Sequence, residues 1–129
     1  MEQPQIFLLH YAGGHAHSYD FLGKRIRNVV SHALELPGRG RRFQENFLLS
    51  RAAAAEDYAA QIRQKRNGQP YIIYGHSMGA SLGLEVCRRL EEAGDAPRHL
   101  VVSGNSGPGV KEQRRKKKGK VFFVERWRF

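Results

Sequence analysis

The sequence predicts an α/β unit built on about four parallel strands with helices on both faces. Three observations lead there. Short, continuous apolar runs recur at residues 6–9, 32–36, 71–74 and 99–103. Stretches with helical spacing of apolar residues separate them. Strands that are apolar throughout are buried on both faces, and parallel neighbours need crossover connections of about a dozen residues or more, which these intervening segments supply. A chain of 129 residues, 40% of them hydrophobic, is enough for one small core.

Taken in order, Ile6-Phe7-Leu8-Leu9 is a strand that runs into Gly13-Gly14. Leu22, Ile26, Val29 and Val30 follow at helical spacing behind a candidate cap, Ser18, and predict the first helix. His32-Ala33-Leu34-Glu35-Leu36 is a weaker strand, stopped by Pro37-Gly38, and residues 39–49 read as an irregular basic loop. From Ser50 to about Arg66 the chain is alanine-rich, with Ala55, Tyr58, Ala59 and Ile62 on one side, and Asn67-Gly68 ends that helix. Tyr71-Ile72-Ile73-Tyr74 is the clearest strand. Residues 78–93, with Leu82, Val86 and Leu90 on one stripe and Gly94 after them, form the clearest helix. His99-Leu100-Val101-Val102-Ser103 supplies the fourth strand, before a glycine-rich segment at 104–109.

Composition narrows the class. No run approaches the ~18 apolar residues of a membrane span, and the polar start at Glu2, Gln3 and Gln5 is unlike a secretory leader, so a cytoplasmic protein is expected. One cysteine, Cys87, cannot make an internal disulfide and reads as a core filler. The net charge of +10 is uneven: residues 111–129 hold +7 of it, with nine Lys or Arg against Glu112 and Glu125. This shift places a boundary near residue 110, between a globular domain at 1–110 and a basic tail at 111–129 that is expected to be non-native or disordered. The tail's cations with Trp127 and the phenylalanines are the only nucleic-acid signal, and nucleic acid is not the expected partner. His15 and His17 without further ligands do not make a metal site, and no metal or cofactor is expected.

The chemistry concentrates at Gly75-His76-Ser77-Met78-Gly79. A GxSxG between a strand and a helix reads as a nucleophile elbow, with Ser77 as the nucleophile, although an ordinary tight turn has the same letters. Gly75 and Gly79 are needed because strand and helix nearly touch, and a β-carbon at either position would strike opposing backbone. Free amides at the helix start make Met78 N–H one oxyanion donor. The loop His10-Tyr11-Ala12-Gly13-Gly14 should provide the second, from Ala12 first and Tyr11 next. Neither a GxxxxGK[ST] nor a GxGxxG phosphate loop occurs.

Four stretches carry a family resemblance: residues 7–14 (Phe-Leu-Leu-His-Tyr-Ala-Gly-Gly); Leu36-Pro37-Gly38-Arg39-Gly40 with Arg42; Tyr74-Gly75-His76-Ser77-Met78-Gly79-Ala80; and Val102-Ser103-Gly104. In this order and spacing they resemble the type II thioesterases of nonribosomal peptide and polyketide synthases, members of the α/β-hydrolase superfamily, over residues 5–110. The resemblance implies a truncated α/β-hydrolase fold, the N-terminal half only. It also implies hydrolysis of acyl thioesters from the phosphopantetheine arm of an acyl or peptidyl carrier protein, through an acyl-enzyme on Ser77.

The departure is in the triad. Hydrolases of this fold place acid and histidine after the serine in the chain. After Ser77 the chain holds one Asp, Asp95, and one His, His99. Both fall at the amino edge of the sheet, about 15–17 Å from Ser77 across a five-residue strand. The activity is therefore expected to be impaired. His76 reads as a packing or orienting residue before it reads as a base, and His10 as a hydrogen-bonded structural imidazole or an auxiliary near the oxyanion loop. Arg39, Arg41 and Arg42 face either an acidic carrier-protein surface or solvent. The abrupt tail looks like out-of-frame translation, and the last strand is expected to lack an outer partner. A noncatalytic carrier-protein binding module and a basic nucleic-acid-associated protein stand as alternatives.

Overall fold

The structure, a computed structural model, describes residues 2–10, 14, 16–20, 25–48, 50–104 and 121–124, the last four as backbone only. A five-stranded sheet in the order β2-β1-β3-β4-β5 organises them. Its strands are β1 (Gln5–Leu9), β2 (Val30–Leu34), β3 (Tyr71–His76), β4 (His99–Ser103) and β5 (Val121–Val124). The first four are parallel, as the apolar runs predict. Helices α1 (Arg51–Lys65) and α2 (Met78–Glu92) connect β2 to β3 and β3 to β4.

One face of the sheet carries the main core. Phe7, Leu9, Ile73, Leu100 and Val102 meet Ala55, Tyr58 and Ile62 of α1 and Leu82, Val86 and Leu90 of α2. Each fully buried large side chain contributes about 1.5–3 kcal/mol by leaving water. On the opposite face, Ile6, Leu8 and Tyr19 pack with Ile26, Val29, Ala33, Ile72 and Tyr74. Alternation along β3 thus divides Tyr71, Ile73 and Gly75 from Ile72, Tyr74 and His76.

Local sequence explains the helix ends. Ser50 caps α1, its Oγ accepting from Ala53 N at 3.0 Å, and the chain leaves through Gly68 at φ +84°. Past α2, Gly94 takes φ +78°, and Asp95 N donates to Leu90 O at 2.9 Å.

Two expectations need correction. The first helix was expected to run through Val30, but Val30 opens β2, and the second strand ends at Leu34 rather than Leu36. Asn28, at φ 63°, turns the chain out of the helical path, and Val30 N then donates to Pro4 O at 2.9 Å. Before it lies a short 3-10 turn, Ala16–Tyr19; residues 21–24 lie outside the described set. The second correction concerns the edge. β4 does have an outer partner, because β5 pairs with it antiparallel, from Leu100 opposite Val124 to Ser103 opposite Val121. The cationic run obscured a Val-Phe-Phe-Val stretch of high strand propensity.

At the amino edge the structure is tied by polar groups. Gln5, read from sequence only as a polar start, is buried, and its amide bonds Lys65 O, Asn67 N and His32 Nε2. Arg66 forks onto Asp95 at 2.8 and 2.9 Å and lies over the Tyr71 ring. Among the described residues no helix is long and apolar enough to cross a membrane.

Candidate active site

Tyr19, Ile26 and Val29, which follow β1 in the chain, pack on one face of the sheet, and the helix that follows β3 packs on the other. Such a reversal opens a crevice at the carboxyl ends of the two strands, where ligands of open parallel sheets bind. Ser77 stands at that crevice, directly after β3. It is exposed, and its backbone is at φ 55°, ψ −112°. An L-residue there stores about 1–3 kcal/mol of strain, which only surrounding packing can hold. Ser77 N donates to Ser103 O at 2.9 Å, and Ser77 O accepts from Ser81 N at 3.1 Å. The hydroxyl makes no cap hydrogen bond to α2, so it is not spent on the helix it precedes.

The glycines act as the sequence suggests, with one difference. A β-carbon on Gly75 would lie 2.3 Å from Gly79 C and O, which are the backbone of the helix it faces. On Gly79 it would strike Leu9 O at 2.4 Å and His10 O at 2.9 Å, the end of β1 rather than β3. The second glycine therefore seats α2 against the neighbouring strand. This brings the first turn of α2 beside the end of β1 and His10. Met78 is the first residue of α2, so its N–H has no carbonyl four residues back within the helix. Ala12, Tyr11, Gly13 and His15 lie outside the described residues, as does the side chain of His17.

His76 points to the opposite face from α2. Its Nδ1 is 2.9 Å from Ser103 Oγ, which is 2.7 Å from Tyr74 OH, and its ring lies against Gly104, where a β-carbon would come within 2.2 Å. His10 is fully buried; its Nε2 accepts from Leu36 N at 3.3 Å, and its ring meets Tyr58 edge-on. Burial pushes the Tyr58 phenol well above its ordinary pKa, so the ring stays neutral beside His10. Asp95 and His99 belong to the amino edge, Asp95 held by Arg66 and His99 opposite Ile72 near the start of β3. Ser77 stands past the other end of that strand. Burial likewise raises the Cys87 thiol on α2 far above its ordinary value, which leaves it unreactive.

The basic loop is more structured than the sequence suggests. A 3-10 turn, Gly40–Arg42, folds over the buried Glu35, whose carboxylate accepts from Arg41 N. Arg42 forks onto Glu45 and Asp57 and also reaches Glu35 O. Arg41 pairs with Glu35. Arg39 instead lies over the Phe47 ring, 5.4 Å from its centroid. Between this loop and the starts of α1 and α2 is an open cavity of ≈ 230 Å³, with Leu36, Pro37, Ala54, Met78 and Leu82 among its walls. Sequence reasoning missed this cavity and the Tyr74–Ser103–His76 chain. The serine at the end of β4 was the one signal for the latter.

Comparison with known proteins follows the same lines. A family model for the thioesterase domain matches residues 4–125. The chain is 34% identical over 105 residues to linear gramicidin dehydrogenase LgrE of Brevibacillus parabrevis, covering 80% of this chain and 40% of that protein. Among solved structures it is similar to RedJ, a thioesterase from the prodiginine biosynthetic pathway of Streptomyces coelicolor, with TM-score 0.76, 32% identity and 89% of this chain against 46% of that one. It is similar to the same degree to BorB, the type II thioesterase of the borrelidin biosynthetic cluster: TM-score 0.76, 32% identity, 91% and 46%. The chain thus spans less than half the length of these relatives.

Proposed function

The chain belongs to the thioesterase domain family, and from that premise we propose that it is a serine hydrolase of acyl thioesters, with Ser77 as nucleophile. The observation that supports this reading most is the strained, exposed Ser77 at the junction of β3 and α2, its hydroxyl uncommitted to the helix. Strain of this kind persists where function requires it.

In this reading Ser77 Oγ attacks the thioester carbonyl carbon, and the charge that develops on its oxygen is met by Met78 N–H and, on the loop after β1, Ala12 N–H. Collapse of the tetrahedral species expels the thiolate and leaves an acyl ester on Ser77; water then releases the acid. His76 orients the end of β3 through Ser103, and His10 supports the loop after β2 through Leu36. The serine needs a partner to take its proton. With Asp95 and His99 at the amino edge, turnover by these 129 residues is limited to the residual rate from oxyanion stabilisation and binding.

The substrate we propose is an acyl or aminoacyl group on the phosphopantetheine arm of a carrier protein, in the cytoplasm. Relatives named for gramicidin, prodiginine and borrelidin biosynthesis support that choice. Exposed Phe43 and Phe47 beside the basic turn offer a docking surface, which also suits a noncatalytic carrier-protein binding module. The boundary near residue 110 is proposed only as a change of sequence character, since the thioesterase match runs to residue 125 and β5 pairs with β4.

Treatment with a fluorophosphonate and assay with an acyl thioester test the reading together. Weak but stoichiometric labelling at Ser77, lost in Ser77→Ala, is expected, with turnover far below that of an intact relative. Absence of labelling under forcing concentrations sinks the nucleophile assignment. Robust turnover abolished by Ser77→Ala means that a base is present.

A further inference from the structure

Arg39 differs from its neighbours. Arg41, Arg42, Arg51, Arg66 and Arg89 each pair with a carboxylate. Arg39 forms no ion pair among the described residues, and its buried Nη1 has no hydrogen-bond partner there. A charged donor removed from water without an acceptor costs several kcal/mol, so a fold retains one where something outside the fold supplies the acceptor. The side chain is held by the Phe47 ring, itself 59% exposed, a contact weak enough to let the guanidinium turn.

Arg39 lines the ≈ 230 Å³ cavity, and Arg51 lines it too. None of the cavity's lining residues is acidic, and most of its wall is apolar. Arg51 is partly engaged by Ser81 and Glu85, which leaves Arg39 as the cation of this cavity without a carboxylate partner among the described residues. The cavity is smaller than the ~300–1,000 Å³ of drug-sized sites, so it suits a short chain. Met78, the residue after Ser77, borders it.

We propose that this cavity is an acyl subsite in which Arg39, with Arg51 on its rim, selects short acyl groups whose far end carries a carboxylate. The inference rests on the thioester-hydrolase reading. Position assigns the anion to the far end of the chain: the reacting carbonyl is fixed at Ser77 after β3, whereas Arg39 follows β2. The two strands are separated by β1, hence by two strand spacings or about 10 Å. A carboxylate there accepts two parallel N–H groups from the guanidinium fork, which a lysine cannot offer in the same geometry.

Two ligands of equal length test it, monomethyl adipate with one free carboxylate and dimethyl adipate with none, titrated into the full 129-residue chain and followed by amide NMR shifts. The monoester is expected to shift Leu36, Ala54 and Leu82 and to bind about tenfold tighter or more than the diester, the worth of one charge-assisted hydrogen bond. Arg39→Gln should remove the preference, and Arg39→Lys, which keeps the charge and secures the test if Gln perturbs the loop, should retain only part of it. Equal binding of the two esters, no binding of either, or an unchanged preference in Arg39→Gln overturns the proposal. Fluorophosphonate labelling of Ser77 in the same samples separates the two readings. Labelling without discrimination refutes the subsite alone, and discrimination without labelling refutes the nucleophile alone.

Discussion

Replacing Gly75 by alanine tests the elbow at its tightest point. The new methyl would stand 2.3 Å from Gly79 C and O and 2.7 Å from Ala80 N. Carbon atoms in contact prefer about 3.5–4.0 Å, so the gap is short by more than 1 Å. What must yield is the backbone of the first turn of α2, and that helix is anchored by the buried Leu82, Val86 and Leu90. Overpacking costs about 1–3 kcal/mol, and an obstacle of backbone places Gly75→Ala at or above the upper end. Two other glycines calibrate the figure. At Gly83 the nearest atom is Leu100 Cδ1 at 3.0 Å, a side chain that can move, and a helix-interior alanine returns about 0.5–1 kcal/mol, so Gly83→Ala should be near neutral. At Gly94 nothing lies within 4 Å but φ is +78°, which costs about 1 kcal/mol. Urea unfolding at constant m-value should therefore rank the losses Gly75→Ala, then Gly94→Ala, then Gly83→Ala. Fluorophosphonate labelling should fall in the first variant only. If Gly75→Ala unfolds within about 0.5 kcal/mol of Gly83→Ala, strand and helix are not in contact as described, and the account of Ser77's strain fails with it.

Ser77→Gly should raise stability by about 1 kcal/mol while abolishing labelling, because the strained φ is relieved and no cap hydrogen bond is lost; Ser77→Ala should give no such gain. Asp95→Ala should cost about 1 kcal/mol in chemical denaturation through loss of the Arg66 fork, yet leave the rate of Ser77 labelling unchanged. A fall in that rate would place Asp95 in the chemistry. The His32 pKa is lowered by burial and then by Lys65, so the folded state favours the neutral ring. The associated stability is present above the ordinary histidine value of about 6.5 and declines as pH falls through the lowered folded value. His32→Gln should flatten that limb of the stability profile, and an unaltered profile would contradict it. Removing residues 111–129 should expose the outer edge of β4 and raise the sedimentation coefficient through association, whereas a monomer of unchanged solubility would show that β5 does not protect it.

How much of this was legible depended on whether the cause was local. Gly75 and Ser77 could be read because a sharp strand-to-helix bend imposes its sterics on adjacent residues. The contact of Gly79 with Leu9 O could not, since it depends on which strand lies beside β3. The helical spacing of Ile26, Val29 and Val30 was misleading: Asn28 adopts a left-handed conformation between them, while Ile26 and Val29 still pack on the sheet. Gln5 looked like solvent-exposed sequence, and its burial follows from three partners brought from residues 32, 65 and 67. Arg39 was indistinguishable from Arg41 and Arg42 in a basic loop, and only the folded arrangement of carboxylates separates them.

The geometry also constrains where a base can come from. A proton acceptor for Ser77 must approach at the carboxyl edge, within about 3 Å of the hydroxyl. Three described carboxylates on the α1 side of that edge are engaged: Glu35 is buried against the 3-10 turn, Asp57 binds Arg42 and Gln61, and Glu85 meets Arg51. His76 is directed onto Ser103 on the other face, and His10 is sealed beneath Leu36. These described groups are committed elsewhere, so in the proposed reading a base is sought among the remaining residues or on another polypeptide. Among the described residues, the strained backbone at Ser77 is held by β3, β4 and α2, with the end of β1 against Gly79. In the proposed reading, labelling needs only the strained serine and its neighbouring amide, whereas turnover also needs a base, which is why labelling and turnover are expected to separate.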